Sequence, residues 1–283
     1  DNLEKQKLIN FENNNDYLFS IVKNYKLQEV LEKNLFRSKY YRKINFKKKI
    51  NYYKDYDLVF NTDYNHPITK KYFNKKIEKK YNSVAYTTIL KHEKISNDIA
   101  IQVFTKNGPL AFLPISDDET SVVYSINNHL KGETEIKNLI QNYNLKYNLK
   151  KINKINSFKL KGLSLRSYYH KNILAFGDLL HRIHPLAGQG FNMTIRDIKI
   201  LNDIILNKID FGLPLDSTIN SEFENYQKHK NFIFSSGIDL IHEFFNFERK
   251  TKNDFLSKSI KIINKNSAIN KIFTKIADKG LLF

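Results

Sequence analysis

The stretch from Asn172 to Leu206 constrains this chain more than any other part of it. Asn172 to Phe176, NILAF, is a short apolar run of the kind that forms a buried strand. It leads straight into GDLLHRIHPLAGQGFN, Gly177 to Asn192, which holds three of the chain's nine glycines and one of its five prolines. From Asn192 onward, NMTIRDIKILNDIIL carries apolar residues at 195, 198, 200, 201, 204 and 205, and this spacing predicts a helix. Strand, glycine-rich loop and helix in that order is how α/β proteins hold a phosphorylated cofactor at the carboxyl end of a strand.

The residue types in the loop suit such a ligand. Asp178 can accept hydrogen bonds from a sugar hydroxyl on both carboxylate oxygens. Gly188 and Gly190 flank Gln189, so the backbone can turn sharply and approach a ligand with no Cβ in the way. Asn192 falls near a helix start, where unpaired N–H groups and the helix dipole favour an anion or a carbonyl acquiring negative charge. Other readings compete. Asp178, His181 and His184 include metal-ligand types, but Pro185 directly after the second His spoils helical ligand geometry. The glycines can also mark an ordinary turn. A Walker-type phosphate loop is excluded, because no Gly-Lys-Ser/Thr follows.

The chain has 283 residues, enough for one large or two modest domains. Its formal charge of +18 raises nucleic acid or an anionic membrane as partners. Abundant Lys, Asn, Ile, Tyr and Phe with no Trp also match A- and T-rich codons, so runs such as KINFKKKINYYK at 43–54 read mostly as solvated faces. No nucleic-acid motif is present, and a nucleic-acid partner is not expected. The absence of Cys removes disulfides, thiolate metal sites and a Cys nucleophile. No run of 18 or more apolar residues predicts a spanning helix. The first residue is Asp, which points to a fragment or a processed chain.

Residues 16–36 predict a helix of about five turns, starting near Asp16. Leu58 to Phe60 reads as a short buried strand running into a polar turn with Pro67. Segments at 83–90, 98–105, 108–115 and 120–126 read as antiparallel strands, with TKNGPLAFLPISDDETSVVYSI as a hairpin. Residues 130–150 fit one or two helices, KINKIN after them a link, and 220–283 helices with a break near Ser235, Ser236 and Gly237. Phe244, Phe245 and Phe247, then Leu256 to Ile276, alternate with Lys as an interfacial helix would, although core packing explains the pattern as well.

The pattern GDxxHxxHPLAGQGxNxxxxD resembles the second flavin-binding motif of the FAD-dependent aromatic-ring hydroxylases, and its HPLAGQG core with Asn192 and Asp197 is similar to their ubiquinone-biosynthesis branch. DLVFNTDYNHPI resembles the family's strand and Ala-Asp-Gly turn, with Asp63 at the Asp. FTKNGPLAFLPISDDETSVVYSI looks like the substrate-domain hairpin and YQKHKNFIFSSGIDLIHEFF like the C-terminal helices. The resemblance implies an α/β (α+β) fold: an FAD/NAD(P)-binding three-layer domain, incomplete here, with an inserted antiparallel-sheet substrate domain and C-terminal helices. The boundaries it suggests are 1–76, 77–165 and 166–283.

By the same resemblance, FAD is held by Asp63, Gly177, Asp178, Pro185, Leu186, Ala187, Gly188, Gln189, Gly190, Phe191 and Asn192. His184 is a candidate for substrate contact, though a structural role competes with it. No catalytic acid, base or nucleophile and no metal ligand is assigned. The implied reaction hydroxylates the ring of a polyprenylated phenol on the route to ubiquinone through a flavin hydroperoxide, using molecular oxygen and NAD(P)H or another electron donor. Implied with it are a cytoplasmic location, peripheral contact with the inner membrane and partnership with other ubiquinone-biosynthesis proteins.

The pattern departs from the family in four places. No strand-GxGxxG-helix unit for the ADP half of FAD appears, which points to an N-terminally truncated member. Tyr25 stands where the family usually has Arg after Asn24, Tyr64 replaces Gly after Asp63, and Thr194 replaces a Gly. Tyr64 should change or strain its turn. The departures also motivate a second reading, a flavin-free relative that binds a quinone precursor or serves as an accessory protein.

Overall fold

The computed structural model describes residues 19–44, 52–127, 131–185 and 188–251. Along the chain run α1 (Asn24–Arg37), β1 (Val59–Asn61), α2 (Pro67–Tyr72), β2 (Lys76–His92), β3 (Ile101–Thr105), β4 (Gly108–Ser116) and β5 (Glu119–Asn127). Then come α3 (Glu133–Tyr143), β6 (Leu149–Ile152), β7 (Asn156–Leu165), β8 (Tyr169–His170), β9 (Ile173–Ala175), β10 (His181–Arg182), α4 (Gln189–Asp210) and α5 (Thr218–Thr251). The described residues fall into two compact units, one of 19–44, 83–127 and 131–159, the other of 52–82, 160–185 and 188–251.

The first unit is an antiparallel sheet. β5 pairs on one side with β2, Tyr86 opposite Tyr124, and on the other with β4, Leu110 opposite Tyr124. β3 adds to β4, and β6 pairs with β2. Alternation of buried and accessible residues along these strands gives the sheet one apolar face, and Leu90, Leu110, Val122 and Ile126 meet Ile136 and Ile140 of α3 in its core. Gly108 sits at φ +145, where a Cβ would lie 1.8 Å from the Ser125 carbonyl oxygen. The β4–β5 pairing therefore admits only glycine there.

The second unit carries the strand-loop-helix. β1 lies parallel to β9, and β8 pairs antiparallel on the other side of β9. All three residues of β9 are buried, as expected of a strand covered on both faces. They pack with Leu179, Leu180, Leu201 and Ile204, and with Ile219 and Phe223 of α5.

The expected class is observed, and so are the hairpin, the buried strand 172–176 and the helix after Asn192. Four local expectations are corrected. The strand expected to be buried at Leu58 to Phe60 is Val59–Asn61, with Phe60 exposed and Asn61 its buried residue, because among the described residues one side of β1 is left without a neighbouring strand. The first helix begins at Asn24, after Lys23 in extended conformation, and Asp16 lies outside the described residues. KINKIN, 151–156, is a link only at 153–155: Lys151 and Ile152 end β6, Asn156 begins β7, and Ile152 and Ile155 pack against the sheet core. α5 runs unbroken for 34 residues through Ser235, Ser236 and Gly237. A helical glycine costs only about 1 kcal/mol, and burial of Ile238 beside it together with the Ser235 hydroxyl bond to the Phe232 carbonyl offsets that. The segment Leu256 to Ile276, expected to be interfacial, lies outside the described residues, as do Leu186 and Ala187 and the side chains of Phe244 and Phe245. Among the described residues, no helix is long and apolar enough to cross a membrane.

Candidate functional site

Parallel pairing of β1 and β9 sets Asn61 opposite Ala175, and the Phe176 N–H donates to the Asn61 carbonyl at 2.9 Å. The two strands therefore end side by side. Asp63 follows one end by two residues and Asp178 follows the other by three, so both carboxylates lie at the same carboxyl edge. At Gly177 the backbone is left-handed, φ +64, and it opens a tight turn closed by the Leu180 N–H on the Gly177 carbonyl. Leu179 and Leu180 anchor that turn in the core, which leaves Asp178 exposed, with no hydrogen bond or ion pair to a described residue.

The Asp63 turn is built without a left-handed residue. The Asp63 carboxylate accepts the Asn65 N–H at 2.8 Å, and its carbonyl accepts the Thr69 hydroxyl at 2.6 Å. Thr69 in turn accepts from the buried Asn61 amide at 2.7 Å. α2 follows, with Pro67 at its first position and His66 as cap, its Nδ1 accepting the Ile68 N–H. Side-chain hydrogen bonds replace the backbone freedom that glycine would supply, so Tyr64 stays out of the positive-φ region. Its ring lies 4.6 Å from the Lys76 ammonium and 5.8 Å from the Arg182 guanidinium, and its hydroxyl bonds both Glu78 and Lys76.

After β10 the chain passes buried Ile183 and His184 and half-buried Pro185, then turns at Gly188 into α4. Gly188 is left-handed at φ +65, and a Cβ added there would project into open space. Among the described residues no side chain caps α4, and its first turn holds no acidic residue, so that turn supplies no anion of its own to its N–H groups. Gly190 is already helical, and a Cβ there would make only ordinary contact with Ile183, at 3.9 Å. Gln189 is half-buried, and Phe191 and Asn192 are exposed beside this helix end.

His184 is fully buried. Its ring packs tilted against His242 of α5, centroids 4.1 Å apart, and meets the Tyr81 ring edge-on at 5.0 Å. The Tyr81 hydroxyl donates to Asp239 at 2.6 Å, and Lys79 lies 3.4 Å from that carboxylate and 3.3 Å from Glu243. Burial, followed by this hydrogen bond to a carboxylate, pushes the Tyr81 phenol well above its usual range.

Two residues outside the expected flavin set, His181 and Asp197, form a buried polar cluster. Asp197, fully buried in α4, accepts from His181 Nε2 at 2.6 Å on one oxygen. Its other oxygen accepts from Gln227 at 2.8 Å and Asn231 at 3.1 Å, both on α5. The sequence carried a signal for this. Met193, Asp197, Leu201 and Ile204 share the buried face of α4, and a carboxylate on an apolar stripe must have partners to be buried. Among the described residues, no cluster of His, Asp or Glu could hold a metal ion.

No family model matches the chain. It is 30% identical over 167 residues to the 3-demethoxyubiquinol 3-hydroxylase of Escherichia coli, covering 54% of this chain and 41% of that protein. It is 21% identical over 273 residues to the mitochondrial ubiquinone biosynthesis monooxygenase COQ6 of Schizosaccharomyces pombe, covering 79% of this chain and 57% of that one. The chain thus spans about half the length of these curated relatives. Among solved structures it resembles p-nitrophenol 4-monooxygenase PnpA of Pseudomonas putida, with a TM-score of 0.60 and 12% identity over 78% of this chain and 59% of that one. HpxO of Klebsiella pneumoniae, complexed with FAD and uric acid, gives a TM-score of 0.60 at 10% identity, covering 78% of this chain and 60% of that chain. At such identities the two structures establish the fold alone.

Proposed function

We propose that this chain, related in sequence to the ubiquinone-biosynthesis hydroxylases and sharing the fold of FAD-dependent aromatic monooxygenases, lines the ribityl and ring half of an FAD site. The enzyme it serves hydroxylates the ring of a polyprenylated phenol in ubiquinone biosynthesis. The observation that carries the reading is the shared carboxyl edge of β1 and β9, with Asp63 and Asp178 upon it, in one compact unit with the left-handed Gly188 and the uncapped start of α4.

The donor set fits the cofactor. An exposed carboxylate with free acceptor oxygens suits the ribityl hydroxyls, and this is the role assigned to Asp178. Open space beyond Gly188 lets a flat ring lie against backbone, along the segment Pro185 to Gly190. The first-turn N–H groups of α4, next to Phe191 and Asn192, stabilise negative charge on the bound ring through the helix dipole. Asp63 is assigned to the same site, where its hydrogen-bonded turn keeps the edge rigid. When bound, FAD supplies the oxygen-activating redox chemistry, with NAD(P)H or another donor as the source of electrons, while the protein orients the groups and excludes water. Substrate binding is assigned to the segment 77–165. His184 supports the loop from beneath, through its contacts with Tyr81 and His242.

The test is flavin retention. The purified chain is mixed with FAD, desalted and read for flavin absorbance, in wild type and Asp178→Ala. Retention by the wild type that drops at least tenfold in Asp178→Ala supports the reading. Equal retention by both overturns the role of Asp178, and no retention by either, even when a strand-GxGxxG-helix unit is supplied ahead of the chain, favours a flavin-free relative.

A further inference from the structure

We infer that Asp197 is a positioning residue, one that fixes the rotation of α4 about its axis and so aims the first-turn N–H groups at the flavin; this rests on the flavin reading above. His181 lies before the loop 183–188 and Asp197 about two helical turns after it. Their hydrogen bond, at 2.6 Å, closes the loop at its base. β10 is two residues long and pairs with Ser164 and Leu163, His184 packs against Tyr81 and His242, and at the loop's end the Gly188 N–H meets the Pro185 carbonyl at 3.5 Å, so the His181–Asp197 bond is the contact that ties the loop's entry directly to α4.

The apolar residues on the buried face of α4, Met193, Leu201 and Ile204, set how deeply the helix sits. Dispersion contacts among such side chains are non-directional, and they tolerate a small rotation. Three hydrogen bonds on one carboxylate do not, because each requires a narrow range of angles. His181 fetches the carboxylate toward the loop's entry, while Gln227 and Asn231, one turn apart on α5, hold it from the other side. The carboxylate is therefore oriented by two elements at once, and α4 carries that orientation to its N-terminus.

Asp197→Asn keeps the volume and can still accept from Gln227 and Asn231, but it presents an amide N–H toward His181. The flavin-free protein is studied by amide hydrogen exchange, comparing residues 193–196 at the start of α4 with residues 203–208 of the same helix. Ile204→Ala serves as the control that loosens packing without touching the hydrogen bonds, and comparisons are made at conditions of matched stability. Asp197→Asn is expected to speed exchange at 193–196 at least tenfold relative to 203–208, with no change of that ratio in Ile204→Ala. His181→Gln, whose amide can still donate to Asp197, is expected to retain most of the protection that Asp197→Asn loses. The same change of ratio in Asp197→Asn and Ile204→Ala, or none in Asp197→Asn, overturns the inference. A parallel titration with FAD, read by flavin fluorescence, is expected to show at least tenfold weaker binding in Asp197→Asn than in Ile204→Ala. Absence of FAD binding in every protein, wild type included, would count against the flavin reading, while the exchange ratio still decides what Asp197 does to α4.

Discussion

Gly188 and Gly190 stand two residues apart in the same loop, and the structure demands opposite outcomes when each is replaced by Ala. Gly188 is left-handed at φ +65 with open space beyond its Cα, so Gly188→Ala meets no clash and loses only the backbone preference, about 1–2 kcal/mol. Gly190 lies in the first turn of α4 with 3.9 Å to its nearest neighbour. Gly190→Ala fits there and gains helix propensity, up to about 1 kcal/mol. The two variants should therefore differ by roughly 1–3 kcal/mol, the sum of those two effects. Urea unfolding followed by circular dichroism resolves such a difference as a displaced midpoint at unchanged slope. Gly190→Ala as destabilising as Gly188→Ala would refute the loop geometry, whatever the ligand. With FAD present, Gly188→Ala should also lose binding, because its methyl enters the space assigned to the ring, whereas Gly190→Ala should retain more.

Burial pushes the phenols of Tyr168 and Tyr81 above their usual range. The folded chain thus holds these protons more tightly than the unfolded one, and this contribution is intact below about pH 10 and lost as pH rises beyond it. Stability should fall by about 1.4 kcal/mol per pH unit for each tyrosine above that point. Urea titrations across this range should show a shallower fall in Tyr168→Phe, and an unchanged slope would contradict the burial. Gly108→Ala combines a φ that alanine avoids with a backbone clash at 1.8 Å. It should cost more than about 3 kcal/mol and reach the sheet unit as a large drop in thermal midpoint; a midpoint within measurement error of wild type would refute the β4–β5 register. Asp178→Ala, which removes a carboxylate with no described partner, should leave stability within about 0.5 kcal/mol while flavin retention falls.

The parts of the fold legible in the sequence are those encoded locally. Segments 108–115 and 120–126 are apolar runs or alternations with β-branched residues, separated by Ser-Asp-Asp-Glu, so the hairpin was plain. Gly177 follows a short apolar run directly, and the strand ends at that junction with Asp178 exposed at its carboxyl edge. Features that depend on distant partners were not legible. Nothing local in DLVF shows that it lies parallel to NILAF with Asn61 opposite Ala175, because parallel pairing is decided by what covers both faces. Ser235, Ser236 and Gly237 look like a break, yet the buried residues on either side keep α5 helical. At Tyr64 the expected strain is avoided because Asn61, Thr69 and Asn65 hold the turn by side-chain bonds, which no spacing rule contains.

The same distinction divides the GDLLHRIHPLAGQGFN stretch itself. Asp178, Gly188, Phe191 and Asn192 are exposed, whereas His181 and His184 are buried and face other parts of the protein. Polar residues in such a motif invite assignment to the ligand, but a buried imidazole bonded to a buried carboxylate has already used its most directional contact. The ligand-facing groups supply little of their own rigidity, since Asp178 has no described partner and α4 starts uncapped. Their geometry is inherited from the buried residues that alternate with them: Leu179 and Leu180 beneath Asp178, His184 beneath the loop, Asp197 behind α4. A substitution at a buried position should therefore weaken the site through misplacement, with stability and binding falling together. One at an exposed position should weaken binding alone, and that contrast is what separates the two halves of the motif by experiment.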